Sequence, residues 1–167
     1  MKTLITFRTK MGKSAESAKI IASILREKYT LEVEVVDLKE NEKDIDLDTY
    51  QVVIIGSGIR MGKWYRRARK FLQKNDFSGK KTFVYVCSMG IIDAQEKNKQ
   101  REYQQKRKQY LQDVLEKNPT VKPLSTVVFG GRKKPKKEQK RENWKPEPVE
   151  KWAEEIGKKI KEEEIKS

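Results

Sequence analysis

The chain has 167 residues, 35% hydrophobic and 38% charged, a composition that fills one core and leaves little for a second. Its 39 Lys and Arg outweigh 25 Asp and Glu for a formal charge of +14, which favours anionic partners, whether polyanions, anionic lipid surfaces or acidic proteins. With no histidine and a single cysteine, Cys87, the sequence excludes His-based triads and general bases, His or zinc-thiolate metal sites and an internal disulfide.

The first apolar run, 4–7, reads as a strand. It leads into Arg8-Thr9-Lys10-Met11-Gly12-Lys13-Ser14, after which Ala15, Ala18, Ile21, Ala22 and Leu25 recur at helical spacing and Tyr29 closes the pattern. A strand that stops at a Thr/Gly/Ser-bearing loop and restarts as a helix aims backbone N–H groups and a positive helix end at one point, which suits a phosphate. Val33, Val35 and Val36 form a second, more polar strand of the outer kind. Continuous Val and Ile at 52–55, with glycine immediately after, mark a strand covered on both faces. Residues 60–73 read as loop then helix, with Trp64, Ala68, Phe71 and Leu72 on the apolar face. A fourth strand at 81–87 ends in Ser88-Met89-Gly90. Residues 93–117 carry a long polar helical pattern, and Pro119 and Pro123 bracket a break before the fifth strand at 124–129. The basic, proline-interrupted stretch at 132–148 is expected to be a mobile loop. Pro148 suits a first helical turn, and Val149, Trp152, Ala153, Ile156 and Ile160 form the face of the last helix.

Strands alternating with helices, each connection long enough for a crossover, predict one α/β domain over 1–167: a five-stranded parallel sheet with helices on both faces. Ligands of doubly wound sheets bind outside the carboxyl ends of the strands, here the loops at 8–14, 57–63, 88–92 and 130–135. No run approaches the roughly 18 apolar residues of a membrane span, and the N-terminal residues lack the order of a signal peptide. With the lone cysteine, this points to a soluble protein of the reducing cytoplasm. Redox or group-transfer chemistry in such a chain leans on a bound cofactor.

Each motif has a plainer reading. Gly12-Lys13-Ser14 resembles the end of a Walker A loop, but Phe7 stands where its first glycine is required, so the spacing excludes nucleoside triphosphate binding. Thr9 and Ser14 are alternatively caps of the first helix. Cys87 ends an apolar strand and reads as a buried small hydrophobe. Basic residues concentrate at 60–70, 97–108 and 132–141, as solvated faces or as anion-binding surfaces. Tyr103 and Tyr110, seven apart on a helix, are core contacts or platforms for stacking bases.

The run Lys2-Thr3-Leu4-Ile5-Thr6-Phe7-Arg8-Thr9-Lys10-Met11-Gly12-Lys13-Ser14, together with Val52-Val53-Ile54-Ile55-Gly56-Ser57-Gly58-Ile59-Arg60-Met61-Gly62, resembles the flavodoxin family. Ile59-Arg60-Met61-Gly62 and the later Asn143-Trp144 are similar to the branch that includes menaquinone-dependent protoporphyrinogen oxidase. The likeness is specific in these loops and fades between 94 and 121. It implies a flavodoxin-like three-layer sandwich with strand order 2-1-3-4-5, and noncovalent FMN held in three loops. The first would wrap the phosphate with the Thr9 and Ser14 hydroxyls and the amides of Lys10, Met11, Gly12, Lys13 and Ser14. The second (Ser57, Gly58, Ile59, Arg60, Met61, Gly62, Trp64) and the third (Ser88, Met89, Gly90) would flank the flavin ring. Trp64 or Tyr65 would cover one face and Met89 the other.

The departures are Arg8, where many flavodoxins carry Ser or Thr, and the basic charge, where electron-shuttling flavodoxins are mostly acidic. The implied function is electron transfer or oxidoreduction through bound FMN; an enzyme of this kind would be an FMN-dependent oxidoreductase, protoporphyrinogen oxidase-like or quinone-linked. No catalytic or metal-binding side chain is assigned. The expected partner is an acidic redox protein or small-molecule substrate, steered by Lys63, Arg66, Arg67, Arg69 and the stretch 132–141, with peripheral contact to anionic membrane as a further expectation. The alternative is a flavin-free binding module that uses its basic faces for nucleic acid, or its polar helix for an acidic protein partner.

Overall fold

The computed structural model describes residues 1–10, 12–39, 45–133 and 141–166. Strands β1 (Thr3–Arg8), β2 (Val33–Asp37), β3 (Val52–Arg60), β5 (Lys81–Cys87) and β6 (Pro123–Phe129) form a parallel sheet in the order β2-β1-β3-β5-β6. The short β4 (Lys63–Trp64) folds back antiparallel on the end of β3. Counting only the parallel strands, this is the expected 2-1-3-4-5 order.

Alternation along each strand builds both layers of core. Ile5, Phe7, Ile54, Phe83 and Tyr85 face α1 (Lys13–Tyr29) and α6 (Pro146–Lys166). Leu4, Val53, Ile55, Val84 and Val86 face α2 (Arg66–Lys74) and the helical stretch from 103 to 115. Trp152 of α6 is buried, meeting Phe83, Tyr85 and Phe129 edge-on at 5.8 to 6.3 Å and donating from Nε1 to Ser125 Oγ at 2.9 Å. Pro123 opens β6, the edge strand, where a missing amide costs no ladder bond.

Three expectations need correction. The strand read at 52–55 continues through Gly56, Ser57 and Gly58 to Arg60, so part of the second loop is sheet. A Cβ on Gly56 would fall 2.0 Å from the Tyr85 ring, and the glycine is therefore a close-packing requirement rather than a turn signal. The long helix read at 93–117 is instead α3 (Met89–Glu96) and, after a break with Asn98 at φ 55°, α4 (Gln100–Arg107), a π turn (Lys108–Gln112) and α5 (Asp113–Glu116). The stretch read as a loop over 132–148 contains β7 (Arg132–Lys133) paired with β8 (Arg141–Glu142), and α6 begins at Pro146; residues 134–140 lie outside the described residues. Among the described residues no helix is long and apolar enough to cross a membrane.

Candidate functional site

The carboxyl ends of β1, β3, β5 and β6 border a cleft of about 550 Å³. Thr9 and Lys13 line it from the first loop, Gly58, Ile59, Gly62 and Tyr65 from the second, and Cys87, Ser88, Met89 and Gly90 from the third. Asp93, Lys106, Tyr110, Gly131 and Arg132 complete the wall. Of these, Lys106 and Tyr110 come from the segment where the family likeness fades, and Tyr110, whose spacing offered a core contact, is 7% exposed.

In the first loop, Gly12 takes a left-handed φ of 85° as the N-cap of α1 and has no side chain with which to cap it. Neither Thr9 nor Ser14 is the N-cap residue itself. The amides of the first turn have no carbonyl a turn earlier to bond, which leaves them open to an anion. Ser14 is fully buried and does not line the cleft; its Oγ has no hydrogen bond of ordinary geometry among the described residues, and the Cys87 thiol is its polar neighbour. Lys10 is exposed, and Met11 lies outside the described residues.

Lys13 is buried beneath Trp144, its Nζ 4.7 Å from the ring centroid, and is ion-paired with Glu142 and, at 3.0 Å, with Glu16. Burial pulls its pKa down, but hydrogen bonds to Glu142 and Glu16 outweigh that and hold it above the ordinary lysine value. Two carboxylates thus already neutralise this ammonium, and an anion in the loop would rely on the helix end and the amides. Trp144 is itself fixed by Nε1 donating to Ser17 Oγ at 3.0 Å.

The second loop is a hairpin turning at Met61 (φ 51°) and Gly62 (φ 75°). Ser57 Oγ donates to the Gly58 carbonyl at 2.7 Å and accepts from the Tyr65 amide at 3.2 Å, so this buried hydroxyl shapes the hairpin. A Cβ on Gly58 would lie 3.0 Å from the Tyr65 ring and 3.4 Å from Thr9 Oγ1, which leaves the glycine as floor between them. Trp64 and Tyr65 part company here. Tyr65 lines the cleft, whereas Trp64 is 2% exposed and donates from Nε1 to the Tyr110 carbonyl at 2.7 Å. Arg60 and Met61 also turn away, onto a neighbouring cleft. Gln109 of the π turn braces the hairpin tip, its Nε2 donating to the Gly62 carbonyl at 2.7 Å.

In the third loop Ser88 caps α3, its Oγ accepting from the Ile91 amide at 3.2 Å. Asn143 clamps the loop: Oδ1 accepts from the Gly131 amide at 2.8 Å while Nδ2 donates to the Met89 carbonyl at 3.0 Å and to Asp93 Oδ1 at 3.1 Å. The sequence marked Asn143-Trp144 only through resemblance; the structure gives both side chains positioning contacts. Cys87 is 5% exposed, and burial pushes its thiol up to about 11.

These residues fit FMN. The start of α1 at Gly12, with Thr9 and Lys13 on the cleft wall, suits a phosphate, and the glycine floor with Tyr65 and Met89 at its sides suits a planar ring. A family model described as a flavodoxin domain matches residues 4–138. The chain belongs to the flavodoxin domain family. Among solved structures, flavodoxin 1 from Bacillus cereus is 19% identical with a TM-score of 0.62, the match covering 95% of this chain and 98% of that one. The Streptococcus pneumoniae TIGR4 flavodoxin is 18% identical with a TM-score of 0.59, covering 95% of this chain and 99% of its own. A flavo di-iron protein from Thermotoga maritima matches at 16% identity and a TM-score of 0.61, over 95% of this chain and 36% of that one. At these identities the structures establish the shared fold. A comparison with curated protein sequences finds no match.

Proposed function

We propose that this flavodoxin-family chain binds FMN noncovalently in the 550 Å³ cleft and serves electron transfer or oxidoreduction through it in the cytoplasm. The observation that carries the reading is the cleft itself, at the carboxyl ends of four parallel strands, where Thr9 and Lys13 of the first loop, the glycine floor at Gly58 and Met89 of the third loop meet. Thr9 and the amides from Lys10 to Ser14 would hold the phosphate; Gly58, Ile59, Gly62 and Tyr65 would face the ring from one side and Ser88, Met89 and Gly90 from the other. Bound flavin would supply the one- and two-electron chemistry that no side chain here can. The protein's own part is to orient the ring, to present backbone groups at 88–90 to its edge and to keep water off it with Tyr65, Met89 and Tyr110. The basic rim at Lys63, Arg66 and Arg67 would steer an acidic redox partner.

Titration with FMN, followed by flavin absorbance and fluorescence, tests this. Saturable binding near one equivalent is expected, with affinity falling about tenfold or more in Thr9→Ala, the order of a lost charge-assisted hydrogen bond. A folded protein that binds no FMN sinks the reading. The nucleic-acid alternative has little to stand on: Tyr110 is buried and Tyr103 packs against the core, so neither is an open platform for bases.

A further inference from the structure

A second cleft, of about 510 Å³, opens on the other side of the 59–64 hairpin and shares Tyr65 as a wall with the first. Six cationic side chains border it: Arg8 from the end of β1, Arg60 and Lys63 from the hairpin, and Arg66, Arg67 and Arg69 from the start of α2. None of its described lining residues is acidic. Like charges gathered around one space repel one another, and an anion placed among them would relieve that repulsion.

Two further observations point to what the space takes. The first turn of α2 holds no acidic residue and its N-cap, Tyr65, makes no side-chain hydrogen bond, so arginines crowd the helix end whose dipole already favours negative charge. Arg69 Nε is buried without a hydrogen-bond partner among the described residues. Arg8, which the family likeness set beside the phosphate loop, instead lies over the Tyr65 ring at 5.5 Å and donates to the Thr9 carbonyl, held toward this second space.

We propose that this cleft is an anion site for a small molecule carrying two or more phosphate or carboxylate groups. Guanidinium forks and the open amides of α2 match such groups bidentately. A concave space of this volume is of small-ligand size, whereas a protein face or a nucleic-acid backbone asks for a broader and flatter surface. The proposal stands apart from the FMN reading, since it uses the opposite face of the hairpin.

The test is calorimetric titration of the full chain, in the form in which it purifies, with pyrophosphate and in parallel with citrate, at fixed ionic strength. Saturable binding of one equivalent of either probe is expected, and the tighter probe assigns phosphate or carboxylate. Lys63→Gln/Arg66→Gln, both exposed, should weaken that binding at least tenfold, while the ligand-free variant melts no lower than the parent because Arg66 opposes the helix dipole. The double variant Lys151→Gln/Lys158→Gln removes the same charge from the outer face of α6 and should bind like the parent. Equal losses in the two double variants would reduce the effect to net charge and overturn the proposal. Competition between pyrophosphate and FMN would place the anion in the first loop and overturn it too, whereas unchanged FMN affinity in Lys63→Gln/Arg66→Gln separates the two sites. If neither probe binds but polyglutamate does, the face docks acidic protein and the small-molecule site is wrong.

Discussion

The hydroxyl of Tyr85 donates to the main-chain carbonyl of Ser14 at 2.8 Å. Tyr85 sits in the middle of the sheet with its ring over Gly56, so a buried residue of β5 holds the floor of the loop that begins α1. Tyr85→Phe keeps the ring and removes the bond. It should cost about 1–2 kcal/mol in denaturant unfolding, with a weaker FMN interaction as the loop loosens. Gly56→Ala should cost more, since its Cβ meets the ring itself. An unchanged FMN affinity in Tyr85→Phe would mean that the loop holds its shape without this support.

Asn143 ties Gly131, Met89 and Asp93 together through one amide group. Asn143→Ala should cost about 2 kcal/mol or more, because it leaves the Gly131 amide and the Met89 carbonyl without those partners. Hydrogen exchange should accelerate at 88–93 before it does in β5. Exchange that rises evenly over the whole chain would show a general loss of stability instead of a released loop.

Cys87 borders the cleft yet is buried, with a thiol pushed up to about 11 by that burial. At neutral pH a thiol reagent should label the native protein slowly and the denatured protein fast. FMN should slow native labelling further. Rapid stoichiometric labelling of the native chain would contradict the burial and the thiol's protonated state.

Tyr29 donates to Glu154, and that bond together with burial raises its pKa from 10.0 to about 12. Tyr50 reaches about 12 through burial and its bond to Glu34. Because the folded values lie above the unfolded ones, the folded state keeps its protons longer. Their stabilisation is whole below about pH 10 and is lost as pH rises toward 12. Thermal melts should therefore fall across that window, and the Tyr29→Phe/Tyr50→Phe variant should melt lower at neutral pH but lose less on the way up. A parallel pH profile in the variant would rule these phenols out as the cause.

The strands were legible wherever a run of β-branched or aromatic residues lies between turn signals, as at 4–7 and 81–87, and α6 was legible from its spaced apolar face and Pro148. The second loop was not. Gly56 and Gly58 look like turn residues in isolation, and the reasons they stand in a strand are Tyr85, Thr9 and Tyr65, which approach from other elements. Trp64 and Tyr65 were interchangeable as flavin covers on paper. Only the Tyr110 carbonyl, 46 residues away, decides that Trp64 faces inward. The break at Asn98 carries neither glycine nor proline, and so left no mark in the polar pattern. Lys106 and Tyr110 reach the cleft from that same region, where the basic run and the tyrosine spacing gave no sign of it.

The π turn at Lys108–Gln112 holds one residue more than an α-helical path would. One residue of helix is a rotation of about 100°. Before the turn Tyr103 meets the core and Lys106 the cleft, Tyr110 within it touches both, and Leu111, Val114 and Leu115 carry the core contact on. Removing a single residue here would let a regular helix form and rotate the contacts after the turn relative to those before it. The inserted residue adjusts the phase of the rod where its contacts pass from the cleft side at Lys106 and Tyr110 to the core at Val114 and Leu115.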